Sequence, residues 1–117
     1  MVIEVLLSLV IGVPVRCQAV PVRGAAGAYD TVAKVVYLAP TQCRRLSKIA
    51  QGYEPRAFEN RAQLAESLYL LGHEGAHAHG VVSEDEATHA GLRAIESNAR
   101  AIGARPSFAR ALAAVLG

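Results

Sequence analysis

The chain has 117 residues, of which 52% are hydrophobic and 19% charged, and its formal net charge is +2. This composition is typical of a globular protein and excludes an extensively disordered chain. The small charge, with basic residues scattered along the chain, does not indicate nucleic-acid binding, and the densest basic pair, Arg44-Arg45, is typical of a solvated helix face. We expect a single domain over residues 1–117.

The N-terminal region contains an apolar segment, Val5–Val15. Its length matches the hydrophobic part of a signal peptide, but Glu4 rather than a basic residue precedes it and no small-residue cleavage site follows. The segment is too short to span a bilayer. We therefore expect a buried first helix that ends near Gly12 and Pro14, with a signal segment as the alternative, and a cytoplasmic rather than a secreted protein.

The region after Pro14 is rich in β-branched residues in two places. We predict strands over Val15–Val20 and Thr31–Leu38, separated by a glycine-bearing turn over 23–30 and paired as a small sheet or hairpin. Pro40 ends the second strand.

Helical patterns fill the rest of the chain. Thr41 is expected to cap a helix that closes at Gly52, and Pro55 is expected in the first turn of the next helix. That longest pattern covers 61–79, with leucines at helical spacing on its core face, and should end at Gly80 with a positive φ. The expected core leucines are Leu64, Leu68 and Leu71.

The last third of the chain predicts two more helices. Ser83 and Glu86 match a capping box, which starts a helix that runs to Gly103. Pro106 and Ser107 open a last short helix. The predicted fold class is α+β, with a small sheet and several helices.

Two cysteines, Cys17 and Cys43, are present and do not form a CxxC pair, which excludes a zinc knuckle. They form one disulfide if the chain is exported, or remain two buried thiols if it is not, and the sequence leaves both open.

The segment His73–His77 reads HExxH on a predicted helix. Residues four apart lie on one helix face, with about 6 Å between their β-carbons, so both imidazoles can reach one zinc ion at about 2.0–2.1 Å. Glu74 points roughly a quarter-turn away, where its carboxylate can take a proton from a water molecule. Gly75 costs about 1 kcal/mol of helix propensity, which indicates close packing there. The alternative is a helix whose histidines are merely exposed.

A zinc site needs a third protein ligand, and a turn at Gly80 would bring the next helix start near the metal. That start offers three acids, of which we choose Glu84, with Asp85 and Glu86 in reserve because Glu86 also serves the capping box. Acids are common in any first helical turn, which is the alternative explanation for Glu84.

The segment 70–92 resembles small zinc-metallopeptidase-like proteins of actinobacteria and their phages, in which HExxHxxG is followed by ExxA, here Glu84–Ala87. The segment Val36–Leu46 resembles the strand and helix that precede the motif in those proteins, with a cysteine after the strand, as at Cys43. The resemblance covers about residues 14–100 and extends more broadly to gluzincins, zinc peptidases with two histidines and a glutamate as ligands.

The resemblance implies a zincin-like core, zinc held by His73, His77 and Glu84, and Glu74 as the general base. One departure is visible, because the small proteins often carry a cysteine after ExxA where this chain has His89. We expect His89 on the helix surface, with a hydrogen bond to the site or a role at the oxyanion as the alternative.

Peptide hydrolysis also needs a donor for the charge that develops on the carbonyl oxygen, and an edge strand to hold an extended substrate. The segment 33–38 is the expected edge. His79 is expected to be exposed or to act as a helix C-terminal charge. The open candidates for the donor are Tyr53, Tyr69, His79, His89 and Arg93.

The sequence therefore predicts a zinc metallopeptidase that acts on peptide or protein substrates. The alternative is a non-catalytic zinc-binding or helical interaction protein. No basic recognition helix indicates DNA binding, no membrane contact is expected, and nothing in the sequence indicates an oligomeric state.

Overall fold

The computed structural model of the chain describes residues 2–116. Within them, the fold is α+β, with six helices and one three-stranded mixed sheet, and no helix is long and apolar enough to cross a membrane. The elements in chain order are α1 Val2–Ile11, β1 Val15–Cys17, β2 Gly27–Asp30, β3 Val35–Leu38, α2 Pro40–Ala50, α3 Phe58–Ala78, α4 Glu84–Arg93, α5 Ile95–Ala101 and α6 Pro106–Leu116.

The sheet has the strand order β1-β3-β2, with β3 in the centre, parallel to β1 and antiparallel to β2. This corrects the predicted strands, because the expected turn over 23–30 contains β2 and the expected strand Thr31–Leu38 begins only at Val35. The strand predicted over Val15–Val20 is also shorter and ends at Cys17.

A tight turn explains the late start of β3. The Asp30 Oδ1 accepts the main-chain N–H groups of Val32 and Ala33, each at 2.9 Å, and the Lys34 N–H donates to the Asp30 carbonyl. Lys34 adopts a left-handed conformation with φ 59°, so the chain reverses before it re-enters the sheet.

One edge of the sheet is closed by α1. The Val15 N–H of β1 donates to Ser8 Oγ at 2.9 Å, and the Cys17 N–H donates to Glu4 Oε2 at 2.6 Å. Side chains from the helix thus occupy donors that an unpaired edge strand would offer to another chain.

The first helix, α1, packs one apolar face into the core and leaves another in solvent. Ile3, Leu7 and Ile11 are buried, whereas Val5 and Leu9 are 62% and 76% exposed. The expected buried helix is therefore present with one buried face, and it ends where predicted, since Gly12 follows with φ +77°.

Three helix boundaries differ from the expectations. Ala39 rather than Thr41 is the N-cap of α2, because Pro40 takes the first helical position, which suits a residue without an N–H. The helix α3 begins at Phe58, so Pro55 lies in the connection before it. The helix predicted from Ser83 to Gly103 is divided at Ala94 into α4 and α5.

The division at Ala94 has a packing reason. The helix α4 packs mainly on α3, whereas α5 packs on α6 as well and buries Ile95 and Ala99. The two helices thus share their contacts between α3 and α6 in different proportions. The last helix opens at Pro106, as predicted.

The central helix of the fold is α3, which contacts the sheet, α2, α4, α5 and α6. Its leucines Leu64, Leu68 and Leu71 are buried as predicted, each contributing about 1.5–3 kcal/mol by leaving water.

A disulfide joins Cys17 at the end of β1 to Cys43 in α2. The sequence left open whether the two cysteines form a disulfide or remain thiols, and the structure has the disulfide.

Candidate metal centre

The HExxH segment lies in the last two turns of α3, and the packing of that helix decides which way its side chains point. Glu74 and Gly75 are buried, whereas His73 and His77 are half-buried on a neighbouring face. A β-carbon at Gly75 would lie 3.2 Å from the Ile11 side chain, so α1 packs directly against this turn. The close packing expected at Gly75 is therefore present.

The end of α3 turns the chain back towards the histidines. Gly80 has φ +99°, the Gly80 N–H donates to the His77 carbonyl at 3.1 Å, and the Val81 N–H donates to the Ala76 carbonyl at 3.0 Å. These two bonds define a Schellman motif, which needs a left-handed residue at this point. The positive φ predicted at Gly80 is confirmed.

The start of α4 follows at once. Ser83 caps the helix, since its Oγ accepts the Glu86 N–H at 3.3 Å. Glu84, the first residue of α4, then lies opposite the two histidines, whereas Asp85 and Glu86 do not join the cluster.

Three potential metal ligands converge at this point. Glu84 Oε1 lies 3.0 Å from His73 Nε2 and 3.1 Å from His77 Nε2. In residues 2–116, His73, His77 and Glu84 are the group whose ligand atoms all lie within 4.8 Å of one another. The two imidazole rings meet edge to face, with centroids 4.9 Å apart, and the Nε2 of each lies close to the same Glu84 oxygen.

His77 is held by its other ring nitrogen. The Val81 carbonyl lies 2.6 Å from His77 Nδ1, and because a carbonyl only accepts, Nδ1 carries the hydrogen. Burial alone would lower the pKa of His77, but the Val81 carbonyl and the Glu84 carboxylate outweigh it and raise that pKa. The hydrogen bond between His77 and Glu84 also lowers the pKa of the exposed Glu84 carboxyl group. The site therefore combines an ionised carboxylate with an imidazole of fixed orientation.

His73 is held by a different group. Its Nδ1 lies 3.1 Å from the Tyr69 hydroxyl, one helical turn earlier on α3. The Tyr69 hydroxyl in turn donates to Thr88 Oγ1 on α4 at 3.4 Å. A short chain of hydrogen bonds thus joins the two helices behind the His73 ring.

Glu74 lies beside the cluster without joining it. The side chain is only 8% exposed, and burial raises its pKa, although the neighbouring histidines oppose that shift. A carboxylate with a raised pKa is a stronger base than one in water, which suits a group that takes up a proton.

An open groove of about 620 Å³ runs between the histidines and the β2–β3 hairpin. One wall carries His73, Glu74 and His77, and the loop after α3 continues it to Glu84. The other wall is the hairpin, which contributes Gly27, Ala28, Tyr29, Thr31 and Lys34.

The strand along this groove is β2, and its outer edge is open. Val36 and Leu38 of β3 make main-chain hydrogen bonds towards β1, at 2.9 and 3.1 Å. Their partners across the antiparallel pair are Tyr29 and Gly27, which must therefore direct their own N–H and C=O groups away from β3. The expectation that 33–38 forms the edge strand is wrong, because β3 is central and β2 takes that place.

The residues suggested as donors to the carbonyl oxygen lie elsewhere. Tyr69 is hydrogen-bonded behind His73, and the Nε2 of His79 lies 2.5 Å from the Ile11 carbonyl, at the end of α1. His89 and Arg93 are exposed on α4, and none of the five candidates lines the groove. The groove wall opposite the histidines carries the polar side chains of Tyr29, Thr31 and Lys34 instead, which the sequence analysis did not suggest as donors.

The chain matches no protein-family model, no curated protein and no solved structure. What the site can do therefore follows from its own geometry and from the chemistry of its side chains.

Proposed function

We propose that the chain is a zinc-dependent peptidase with a minimal zincin-like core, in which His73, His77 and Glu84 hold the metal. The convergence of these three ligand atoms supports the proposal. Ligands of a tetrahedral zinc ion at about 2.0–2.1 Å lie roughly 3.3 Å from one another. The separations of 3.0 and 3.1 Å from Glu84 to the histidines are close to that value, so zinc could enter with small side-chain movements.

The number of ligands favours a catalytic over a structural site. Structural zinc sites have four protein ligands, whereas catalytic sites have three and keep one position open. The described residues supply three ligands, and the cluster faces a groove rather than the core. This geometry supports hydrolysis over the alternative of a non-catalytic zinc-binding protein.

The metal supplies two effects when bound, since it lowers the pKa of a water molecule and polarises a carbonyl oxygen. In this proposal Glu74, which lines the groove beside the ligands, would take one proton from water and pass it to the leaving nitrogen. The hydroxyl part of the water would then join the carbonyl carbon, the C–N bond would break, and the remaining proton would also pass to the amine, so that the products are a carboxylate and an ammonium group. Burial prepares Glu74 for this exchange because it raises the pKa of its carboxyl group.

The open edge of β2 is the proposed substrate-binding element. An extended peptide can pair with the outward N–H and C=O groups of Gly27 and Tyr29, and it would then lie along the groove beside the metal ligands. Backbone pairing of this kind selects an extended conformation rather than a side chain. We therefore propose unfolded or flexible peptide segments as substrates.

The test is hydrolysis of an unfolded, fluorescently labelled protein by the zinc-loaded chain, compared with Glu74→Gln. We expect the variant to keep zinc, because Glu74 is not a ligand, and to lose at least about 100-fold in rate, because the proton acceptor is gone. Glu66→Gln is the matched control, since Glu66 is exposed on the same helix, and its rate should equal that of the wild type.

Two results would contradict the proposal. Equal rates for the wild type and Glu74→Gln would mean that hydrolysis comes from another source. A wild-type protein that binds zinc at one site but cleaves no unfolded substrate would favour the non-catalytic alternative.

A further inference from the structure

We propose that Lys34 makes the groove selective for peptides that carry a carboxylate beside the segment paired with β2. This selectivity rests on the proposed function and names the substrate class of the same groove. Backbone pairing with β2 selects no side chain, so a preference among extended peptides must come from the groups that line the groove. The carboxylate belongs to an aspartate or glutamate side chain or to the C-terminus of the peptide, because both present the same anion.

The charged groups of the groove are divided between its two walls. Glu74 and Glu84 lie on the wall that carries the histidines, and Lys34 lies on the wall formed by the hairpin. In the part of the chain that the structure describes, Lys34 is the only lysine or arginine that lines this groove. A bound peptide therefore meets carboxylates on the side of the metal ligands and an ammonium group on the side of the hairpin.

The ammonium group of Lys34 is not used within the described chain. Lys34 takes part in none of the ion pairs of residues 2–116, and its side chain makes no hydrogen bond there. The nearest acid along the chain, Asp30, has its Oδ1 engaged with the Val32 and Ala33 N–H groups. An ammonium group only donates, so the partner that suits it in the groove is an anionic acceptor.

The turn does not explain why a lysine stands at position 34. Its φ of 59° lies in the left-handed region, where glycine or asparagine is less strained than a residue with a long side chain. The Lys34 N–H donates to the Asp30 carbonyl at 2.8 Å, a bond that any residue except proline can make. The reason for the lysine therefore lies in what its side chain meets, and that side chain lines the groove.

The position of Lys34 along the groove decides which part of a peptide it meets. Gly27, at the start of β2, faces α3, because a β-carbon there would lie 3.2 Å from the Leu70 side chain. A strand rises about 3.3 Å per residue, so the turn after Asp30 begins about 10 Å further along. Lys34 therefore meets the part of a paired peptide that lies at the turn end of β2, as a specificity-determining residue and not a catalytic one.

A lysine beside an open strand edge has a second physical use, since its charge keeps other copies of the chain from pairing with that edge. In that case, loss of the charge would change the association of the protein and leave its choice of peptide unchanged. The same variants separate the two roles.

The experiment measures kcat/KM of the zinc-loaded chain for internally quenched peptides that are neutral except at one position. In one series a single glutamate is moved along the peptide and compared with glutamine at each position, and a second series compares a C-terminal carboxylate with the amide. The wild type should prefer the carboxylate in at least one series by about two- to fivefold, the range expected for an exposed ion pair. The preference should shrink in about 0.5 M salt, and the series that shows it identifies the carboxylate.

Three variants assign the preference to Lys34. Lys34→Gln should abolish it and leave the rate on the neutral peptide within about twofold of the wild type, because the strand edge and the metal ligands are unchanged. Lys34→Glu should reverse the preference, and Lys34→Arg, which keeps the charge, should retain it. Lys48→Gln is the matched control, at the other lysine of the chain, which lies over the Tyr53 ring, and it should behave as the wild type.

The outcomes separate this selectivity from the proposed function. The same preference in the wild type and Lys34→Gln, or no preference in either series, would overturn the role of Lys34 even if the peptides are cleaved. So would a change in Lys34→Gln that is limited to self-association, measured by light scattering.

If no peptide is cleaved, the proposed function fails, and binding of the same peptides still decides the role of Lys34. Fluorescence anisotropy should then show tighter binding of the carboxylate peptide than of its neutral counterpart to the wild type, and equal binding of the two to Lys34→Gln. Equal binding of the two peptides to the wild type would overturn the selectivity as well.

Discussion

At the scale of single residues, the hydrogen bonds of His77 strengthen its hold on a proton. His77 donates through Nδ1 to the Val81 carbonyl and lies 3.1 Å from the Glu84 carboxylate through Nε2. Both nitrogens can therefore be protonated with a partner for each hydrogen, which is why the pKa of His77 is raised in spite of burial. Below that pKa, binding of the proposed zinc ion would displace the proton on Nε2.

This competition predicts how zinc binding depends on pH. Below the raised pKa of His77, zinc affinity should fall as the pH falls, by about tenfold per pH unit for each proton displaced. Calorimetric titrations in buffers of different ionisation enthalpy would give the number of protons released. His77→Asn, which removes the titrating group, should bind zinc more weakly and with a smaller proton release.

In the metal-free protein, His77 should make the free energy of unfolding depend on pH, with its stabilising contribution largest at low pH, where zinc affinity is lowest. The raised pKa of His77 stabilises the folded state fully below the pKa of an unfolded histidine, about 6.5, and this contribution is lost as the pH rises through the folded value.

The zinc titrations have their own contradicting outcome. An affinity for zinc that stays constant from about pH 8 to about pH 5 would contradict the assignment of His77 as a ligand.

At the scale of elements, the site depends on how closely α4 approaches α3. Gly72 and Gly91 face each other across this contact, and a β-carbon at Gly72 would lie 3.1 Å from Gly91 Cα. Three residues spaced along one face of α4, Glu84, Thr88 and Gly91, thus all meet α3. Glycine at the close point allows Glu84 to reach the two histidines and Thr88 to reach the Tyr69 hydroxyl.

Gly91→Ala tests this arrangement. The added β-carbon would lie 2.8 Å from the Tyr69 carbonyl oxygen, closer than any ordinary contact, so α4 must shift. We expect a loss of about 1–3 kcal/mol in the free energy of unfolding and weaker zinc binding, because Glu84 moves with its helix. Urea denaturation and chelator competition measure the two effects.

The control for that change is His89→Ala, at an exposed position of the same helix. Its zinc affinity and unfolding free energy should stay close to wild-type values. If Gly91→Ala lowers stability but leaves zinc affinity unchanged, the approach of α4 does not control the position of Glu84.

The same scale shows what the sequence can and cannot reveal. The spacing of His73 and His77, the capping serine and the turn at Gly80 are local, so their patterns predicted one helix face, a helix start and a left-handed residue, and the structure has all three. The strand β2 reads GAYD, four residues without alternation and rich in small side chains. Whether such a strand lies in the centre or at the edge depends on pairings between distant segments, which no local pattern contains.

At the scale of the whole molecule, the disulfide joins the sheet to α2 across a sequence separation of 26 residues. The segment that it closes contains β2 and β3, and with them one wall of the groove. In the unfolded chain, the disulfide therefore restricts the conformations of residues 17–43, many of which lie outside helices and strands in the folded protein.

Replacing both cysteines tests this contribution. Cys17→Ala with Cys43→Ala should lower the free energy of unfolding by about 3 kcal/mol, as expected for a closed loop of this length. Zinc affinity should change little, because all three ligands lie on α3 and α4. Reduction of the wild-type protein should give a similar loss in urea denaturation, and a loss confined to the double variant would point to the missing sulfur atoms in the core instead.

For the proposed peptidase, the small number of outward-facing peptide groups on β2 has a consequence for the rate-limiting step. Only Gly27 and Tyr29 direct their peptide groups outward, so a docked segment gains at most about four main-chain hydrogen bonds. Once the bound chain is severed, each fragment retains only some of these bonds, and it can diffuse away without any movement of the protein. Departure of the fragments should therefore be fast, and the chemical step should limit the rate.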